Sequence, residues 1–359
     1  MAVAFHTLKV ADVRRETPDA VSIAFTVPPD LADEYRFHPG QHLTLRRRCD
    51  GEDIRRSYSI CTGLDDRELR VAVKKVDGGV FSTLCNEAIR PGDMIEVMTP
   101  QGRFGVMPDP GATRNYLAVA AGSGITPILS LLRSVLTREP NSRFMLIYGN
   151  RTAKDIIFKE ALEDLKDRFL GRLTVHHVLS REQQEIELFN GRIDADKIEM
   201  LLKSFVPASK IDHAFLCGPG AMIEDANAAL RRLGTPDGNI HIEYFSTDGI
   251  PVAPRRVASA AGAAEQPVAH AHVTLHGSAY NIPMLEGETV IDAGERLGLE
   301  MPYSCRGGMC CTCRAKLVSG KVEMALNYSL EPWEKEAGYV LTCQARPLTP
   351  EIVVDYDEV

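Results

Sequence analysis

Within the nine residues from Cys305 to Cys313 the chain carries four cysteines, Cys305, Cys310, Cys311 and Cys313, and Cys343 stands alone further on. Two irons bridged by sulfides need four thiolates. One tight loop can supply three of them and a distant strand the fourth. Cys305, Cys310 and Cys313 are spaced C-x4-C-x2-C and Cys343 follows 29 intervening residues later, which is the spacing of a [2Fe–2S] site. Gly307 and Gly308 suit a loop that wraps a cluster closely with its backbone N–H groups aimed at sulfur. Zinc is the alternative, but a zinc site usually shows two close pairs, and Cys343 has no near partner in sequence. Using Cys311 in place of Cys310 would give x5 and x1 spacings, so Cys311 reads as a bystander. Nine cysteines bunched in this way are unlike a disulfide framework, which spreads its cysteines through a small secreted chain.

The remaining length leaves room for more than a cluster domain. At 359 residues the chain suffices for two or three domains, each with its own core. A net charge of −8 argues against a nucleic-acid binder, which needs a basic face for phosphate. The acidity is local: residues 268–359 hold 13 acids against 7 bases, leaving 36 against 34 before them. No basic segment followed by an apolar one opens the chain, so no signal peptide is read. Residues 115–132 carry no charge, near the lower length limit for a membrane span, yet Gly122, Ser123, Gly124 and Pro127 interrupt them. A strand, a glycine turn and a new helix explain that stretch better. The chain reads as soluble and cytoplasmic, with no membrane and no nucleic-acid partner.

Three textures succeed one another. In the first hundred residues, short β-like runs (20–27, 42–45, 70–76) alternate with turn signals at Pro39-Gly40, Gly78-Gly79 and Pro91-Gly92-Asp93, which suggests a small antiparallel β-barrel over 1–110. Over 111–250, buried-type strands at 117–121, 144–148 and 214–217 alternate with helical spacings such as Ile128, Leu131, Leu132 and Val135, the mark of a parallel α/β sheet. The Ala- and Pro-rich stretch 251–268 reads as a linker; if flexible, it spans about 23 Å. Beyond it, over 269–359, a hairpin and a Thr289/Asp292 capping box indicate an α+β domain that holds the cysteine loop.

In the barrel region Arg56-Ser57-Tyr58-Ser59 lies in a β-like run, and Gly79-Val80-Phe81-Ser82 offers a glycine turn whose backbone and hydroxyl donors could hold a pyrophosphate. Gly122-Ser123-Gly124-Ile125-Thr126-Pro127 follows a strand and opens a helix, where glycines let a pyrophosphate approach the backbone and the helix start favours negative charge. After the second α/β strand, Arg151 and Thr152 offer a cation and a hydroxyl for a 2′-phosphate, where an NAD site usually presents a carboxylate. That favours NADPH. A surface arginine with no ligand is the plain alternative. His176-His177 reads as the two faces of a strand, and no hydrolase or NTPase motif appears.

These motifs, in this order, resemble the ferredoxin–NADP reductase superfamily. The resemblance implies that Arg56 binds flavin phosphate, that Tyr58 lies against the isoalloxazine and that Ser59 hydrogen-bonds near its N5. It places Cys217, in Cys217-Gly218-Pro219, beside the nicotinamide, and Glu243 and Phe245 beside the flavin. Over nearly the whole chain, residues 35–45, 55–61, 146–152, 327–332 and 338–349 are further similar to the reductase subunits of the ring 1,2-phenylacetyl-CoA epoxidase. That family implies FAD, NADPH, one [2Fe–2S] cluster, a β-grasp ferredoxin domain and, as electron acceptor, the di-iron oxygenase subunit of phenylacetate breakdown. A reductase of another oxygenase, a ketosteroid hydroxylase or a ring-hydroxylating dioxygenase, shares the module order. A redox sensor would leave the flavin and nicotinamide motifs without a purpose.

Overall fold

The computed structural model describes residues 3–49, 52–205, 210–245 and 266–358. The chain divides into two compact units, one of Phe5–Asp248 and one of Gly249–Val359 with Met1–Ala4. Most of the expected linker, 251–265, lies outside the described residues.

The first unit begins with β1 (Phe5–Thr17), β2 (Ala20–Thr26), β3 (His42–Cys49), β4 (Glu52–Ser59), β5 (Leu69–Lys74), α1 (Val80–Glu87) and β6 (Met94–Met98). The strands form one antiparallel sheet in the order β4-β3-β6-β1-β2-β5. An isolated bridge between Ile60, just past β4, and Val71 of β5 joins the two edge strands, so the sheet curls on itself as a barrel. Register shifts near Val10–Asp12 and Arg15–Thr17 are bulges that bend β1 so that it pairs with both β2 and β6. Alternate residues Leu43, Leu45, Val71, Val73 and Val97 fill the interior. Sequence reasoning missed α1, a helix of two turns that starts at the Gly79 turn.

The same unit continues as β7 (Asn115–Ala121), α2 (Ile125–Arg138), β8 (Arg143–Asn150), α3 (Lys159–Arg168), β9 (Leu173–Leu179), α4 (Ala195–Phe205), β10 (His213–Gly218), α5 (Gly220–Arg232) and β11 (Ile240–Tyr244). The sheet is wholly parallel, ordered β11-β10-β7-β8-β9. The chain runs outward from β7 on one side, then returns to its other side with β10. The carboxyl ends of β7 and β10 are therefore the switch point where such sheets bind ligands. The uncharged 115–132 stretch is strand plus helix: α2 is buried nearly all round because it also meets barrel residues, Ser130 donating to the Thr62 carbonyl at 2.6 Å and Arg133 pairing with Asp66 at 2.7 Å. Among the described residues no helix is long and apolar enough to cross a membrane.

Four histidines lie half-buried in this sheet. His176 stacks on Phe189 and His177 packs on Tyr148, so the pair does occupy two faces of β9. His213 and His241 share a hydrogen bond of 3.0 Å between β10 and β11. Burial lowers all four, His177 and His241 to about 4. Arg114 also opposes a proton on His213, while Asp212 and Glu139 favour one. The folded chain holds these rings neutral. Their stabilisation is complete above the ordinary histidine value near 6.5 and is lost as pH falls toward 4. At pH 5 the loss from His241 amounts to about 1–2 kcal/mol. Thermal melts at pH 7.5 and 5 should show this fall, and His241→Gln should flatten it; an unchanged slope would reject the assignment.

The second unit comprises β12 (Ala269–Leu275), β13 (Ser278–Met284), α6 (Val290–Arg296), β14 (Arg314–Ser319), β15 (Val322–Met324), α7 (Pro332–Glu336), β16 (Tyr339–Leu341), β17 (Ala345–Pro347) and β18 (Glu351–Asp355). Its mixed sheet runs β13-β12-β18-β14-β16, with β12 parallel to β18. Thr289 and Asp292 form the expected capping box at the start of α6, which buries Val290, Ile291 and Ala293 in the core. This is a β-grasp arrangement, and the cysteine loop leads into β14.

Candidate functional site

In the barrel, β4 ends on Arg56, Tyr58 and Ser59. Arg56 is exposed, so its guanidinium is open to an anion. Tyr58 packs beside Phe81, ring centroids 6.1 Å apart, and burial keeps its phenol protonated far above the ordinary range. Gly79 caps α1. The Ser82 hydroxyl accepts the Val76 N–H and donates to the Gly79 carbonyl, both at 3.1 Å. That hydroxyl holds the turn, which leaves the first backbone N–H groups of α1 as the turn's outward donors.

Ser59 is the link to the parallel sheet. Its hydroxyl donates to the Glu243 carboxylate at 3.5 Å. Glu243 on β11 stands in register with Cys217 on β10, and Cys217 with Ala120 on β7. Burial and the neighbouring Glu243 charge hold the Cys217 thiol well above its ordinary value, so it is an uncharged surface and not a nucleophile at neutral pH. Phe245 packs against the core that contains Cys217. Ser59, Ala120, Cys217 and Glu243 thus meet at the switch point.

The glycine turn sits there too. Gly122 adopts φ +54°, its carbonyl accepting the Tyr148 hydroxyl at 2.9 Å. Gly124 has another reason to be glycine: a Cβ would stand 2.1 Å from the Cys217 carbonyl oxygen. Thr126 and Pro127 are buried, and the Thr126 hydroxyl donates to the Ser123 carbonyl at 3.0 Å, so they shape the turn from behind. Gly218, at φ +155°, ends β10 against Ala121. Lys74 of β5, which sequence reasoning missed, brings its ammonium to 3.8 Å from where a Gly122 Cβ would be. Arg151 is exposed past the end of β8, and the Arg181 N–H bonds its carbonyl at 2.8 Å, which sets a second exposed arginine beside it. Thr152 is otherwise engaged: its hydroxyl donates to Asp155 at 2.7 Å in a capping box.

In the second unit the thiols of Cys305, Cys310, Cys313 and Cys343 stand near enough to shift one another, Cys310 being the largest cause that raises Cys305 and Cys343 the largest that raises Cys313. The Gly307 and Met309 N–H groups point at Cys305 Sγ at 3.4 Å. Loop amides aimed at sulfur are what thiolates bound to a cluster require. Behind the loop, the Cys313 carbonyl accepts both the N–H and the hydroxyl of Thr342, at 3.0 and 2.7 Å, and Gln344 bridges the Arg306 carbonyl and Cys343 Sγ at 2.7 and 3.6 Å. Cys311 turns away at φ +53°; its thiol donates to the Ser329 carbonyl and burial pushes it up to about 12.

Consecutive stretches match three families: an oxidoreductase FAD-binding domain over residues 7–105, an oxidoreductase NAD-binding domain over 118–228 and a 2Fe-2S iron-sulfur cluster binding domain over 273–348. The chain is 39% identical over 359 residues to the ferredoxin reductase component of 3-ketosteroid-9-alpha-monooxygenase from Mycolicibacterium smegmatis, covering 98% of this chain and 97% of the relative. It is 47% identical over 356 residues to a subunit of 1,2-phenylacetyl-CoA epoxidase from Escherichia coli (strain K12), covering 98% of both. The chain belongs to the family of oxygenase reductase components. The reductase is an oxidoreductase with FAD-, NAD(P)- and [2Fe–2S]-binding modules. Its fold is shared with phthalate dioxygenase reductase, at 24% identity and a TM-score of 0.59 over 98% of each chain. It also follows 41% of an intact self-sufficient cytochrome P450 monooxygenase, at 20% identity and a TM-score of 0.67.

Proposed function

We propose that the reductase passes electrons from NADPH through FAD and a [2Fe–2S] cluster to the di-iron oxygenase of phenylacetyl-CoA epoxidase, in the cytoplasm. The observation that carries this is the 47% identity to a subunit of that epoxidase along the full length, with all three modules in order. The module bounds are 1–110 for flavin, 111–250 for nicotinamide, 251–268 for the linker and 269–359 for the cluster.

FAD held here would supply two-electron acceptance from a nicotinamide and one-electron release to a [2Fe–2S] cluster. The chain's own residues would arrange this. Arg56 and the turn at Gly79, Phe81 and Ser82 would hold flavin phosphates; Tyr58, Ser59, Glu243 and Phe245 would border its ring. Gly122, Gly124, Thr126, Pro127 and Gly218 form the nicotinamide seat, with the Cys217 thiol as its neutral floor. The Ser59 hydroxyl, donating at 3.5 Å, helps to orient the Glu243 carboxylate. Cys305, Cys310, Cys313 and Cys343 hold the cluster.

The reductase, NADPH, oxygen and purified epoxidase oxygenase should together form epoxidised coenzyme-A product, with rates falling as salt screens the acidic 268–359 region. No product at any salt rejects this partner. The second reading, a reductase for a steroid-type hydroxylase, is favoured by the 39% identity and would be revealed by turnover with that oxygenase instead.

Arg151 reads the 2′-phosphate, helped by neighbouring Arg181. Arg151→Ala should cut the NADPH over NADH ratio of kcat/KM by about tenfold, the scale of one charge-assisted contact. An unchanged ratio would remove Arg151 from this role.

A further inference from the structure

Residues 326–331 cross the cysteine loop as a strap. The Gly308 carbonyl accepts the Tyr328 N–H and the Ser329 hydroxyl, each at 3.0 Å. A Cβ on Gly308 would stand 2.8 Å from the Leu326 carbonyl oxygen, so the approach is close. From the loop side, the Cys311 thiol donates to the Ser329 carbonyl at 3.3 Å. The Asn327 side-chain oxygen accepts the Ser329 and Leu330 N–H groups, at 3.3 and 2.9 Å, and turns the strap into α7.

At that far end lies a buried charge pair that none of this chemistry explains. Glu334 of α7 and Arg314 of β14 meet at 2.7 Å with side chains only 4% and 5% exposed. The Arg314 guanidinium carbon stands 3.5 Å from the centre of the Tyr339 ring, and Glu334 also accepts the Glu331 N–H at 3.0 Å. Arg314 follows Cys313 directly, and its N–H bonds the Cys311 carbonyl at 3.0 Å. Apolar residues of similar volume would be about as stable in such a place. What two partnered charges add is a single arrangement, because sliding either element leaves a buried charge without its partner.

We propose that the Arg314–Glu334 ion pair is a positioning latch that fastens the 326–331 strap over the cysteine loop and thereby sets the cluster's reduction potential and its retention of iron. The proposal rests on Cys305, Cys310, Cys313 and Cys343 holding the cluster. Glu334 would act through Arg314 on the loop, touching neither cluster nor acceptor. Its removal leaves a positive charge uncompensated one residue from Cys313 and admits water under the strap. Both effects favour the reduced, more negative cluster, so the potential rises.

The test uses the full-length holoprotein, following cluster absorbance through a redox titration, iron release to a chelator, and thermal unfolding. Glu334→Gln should raise the midpoint potential and release iron about tenfold faster, the scale of losing an outer partner of a metal ligand. The exchange Arg314→Glu with Glu334→Arg should recover most of both. Unchanged potential and iron release would overturn the latch, as would a lowered melting temperature with an unmoved potential, which marks a merely structural pair. If Glu334→Gln does not fold, Glu334→Asp should shift both readouts the same way by less, and no shift would overturn it. A wild-type protein without [2Fe–2S] absorbance would overturn the cluster reading and the latch together. A normal wild-type cluster with silent variants would overturn the latch alone.

Discussion

Serine in place of Cys305, Cys310, Cys313 or Cys343 should remove the cluster and drop electron delivery to an oxygenase to background, while Cys311→Ser keeps both. The four cysteines shift one another's thiols, and the loop amides of Gly307 and Met309 point at Cys305 Sγ. Cys311 instead donates a hydrogen bond to the Ser329 carbonyl and stays a thiol. Reduction of ferricyanide by NADPH draws on the first unit and should change by less than about twofold in every variant, as for distant independent sites. Iron content and visible absorbance provide the check. A normal cluster in Cys310→Ser with loss in Cys311→Ser would reverse the ligand assignment.

Those four candidate ligands were legible because a [2Fe–2S] cluster would fix ligand spacing within one loop, and spacing survives in a linear string. The same holds for the Thr289 capping box and for the glycine turn after β7. What stayed hidden is contact between residues remote in sequence. Thr342 and Gln344, which hold the backbone behind Cys313 and Cys343, are ordinary residues whose meaning lies in two carbonyls they reach across the fold. Lys74 gains its place near Gly122 only because the barrel and the parallel sheet pack into one unit. Hydroxyls are hard to read for the opposite reason. Ser82, Thr126 and Thr152 stand in ligand-like motifs, and in the folded chain each also bonds a nearby group, a local contact that short polar side chains readily make. Helix α1 was missed because it spans only two turns, too few for its spacing to stand out from the strands around it.

Gly124→Ala should be the most damaging single methyl group in the nicotinamide module. Both glycines of the turn look alike in sequence, and both are expected where a pyrophosphate nears the backbone. Their surroundings differ. At Gly122 a Cβ meets nothing closer than the Lys74 ammonium at 3.8 Å, and the cost is that of holding φ +54°, about 1–2 kcal/mol. At Gly124 the new carbon would overlap the Cys217 carbonyl, with 2.1 Å to its oxygen and 2.6 Å to its carbon. Neither is the end of a flexible side chain, so β10 or the helix start must move. Cys217 is paired in register with Glu243, which in turn accepts from Ser59, so a shift of β10 displaces the Cys217 thiol and the Glu243 carboxylate together. A misplacement near 1 Å costs about a hundredfold in rate, equivalent to about 2.7 kcal/mol. Gly124→Ala should therefore lose about a hundredfold in kcat/KM for NADPH with ferricyanide, and Gly122→Ala less than about tenfold. Flavin content and the melting temperature of the cluster unit should hold in both. Equal losses in the two variants would show that the turn acts through its backbone angles alone, and that the close approach of Gly124 to Cys217 carries no catalytic weight.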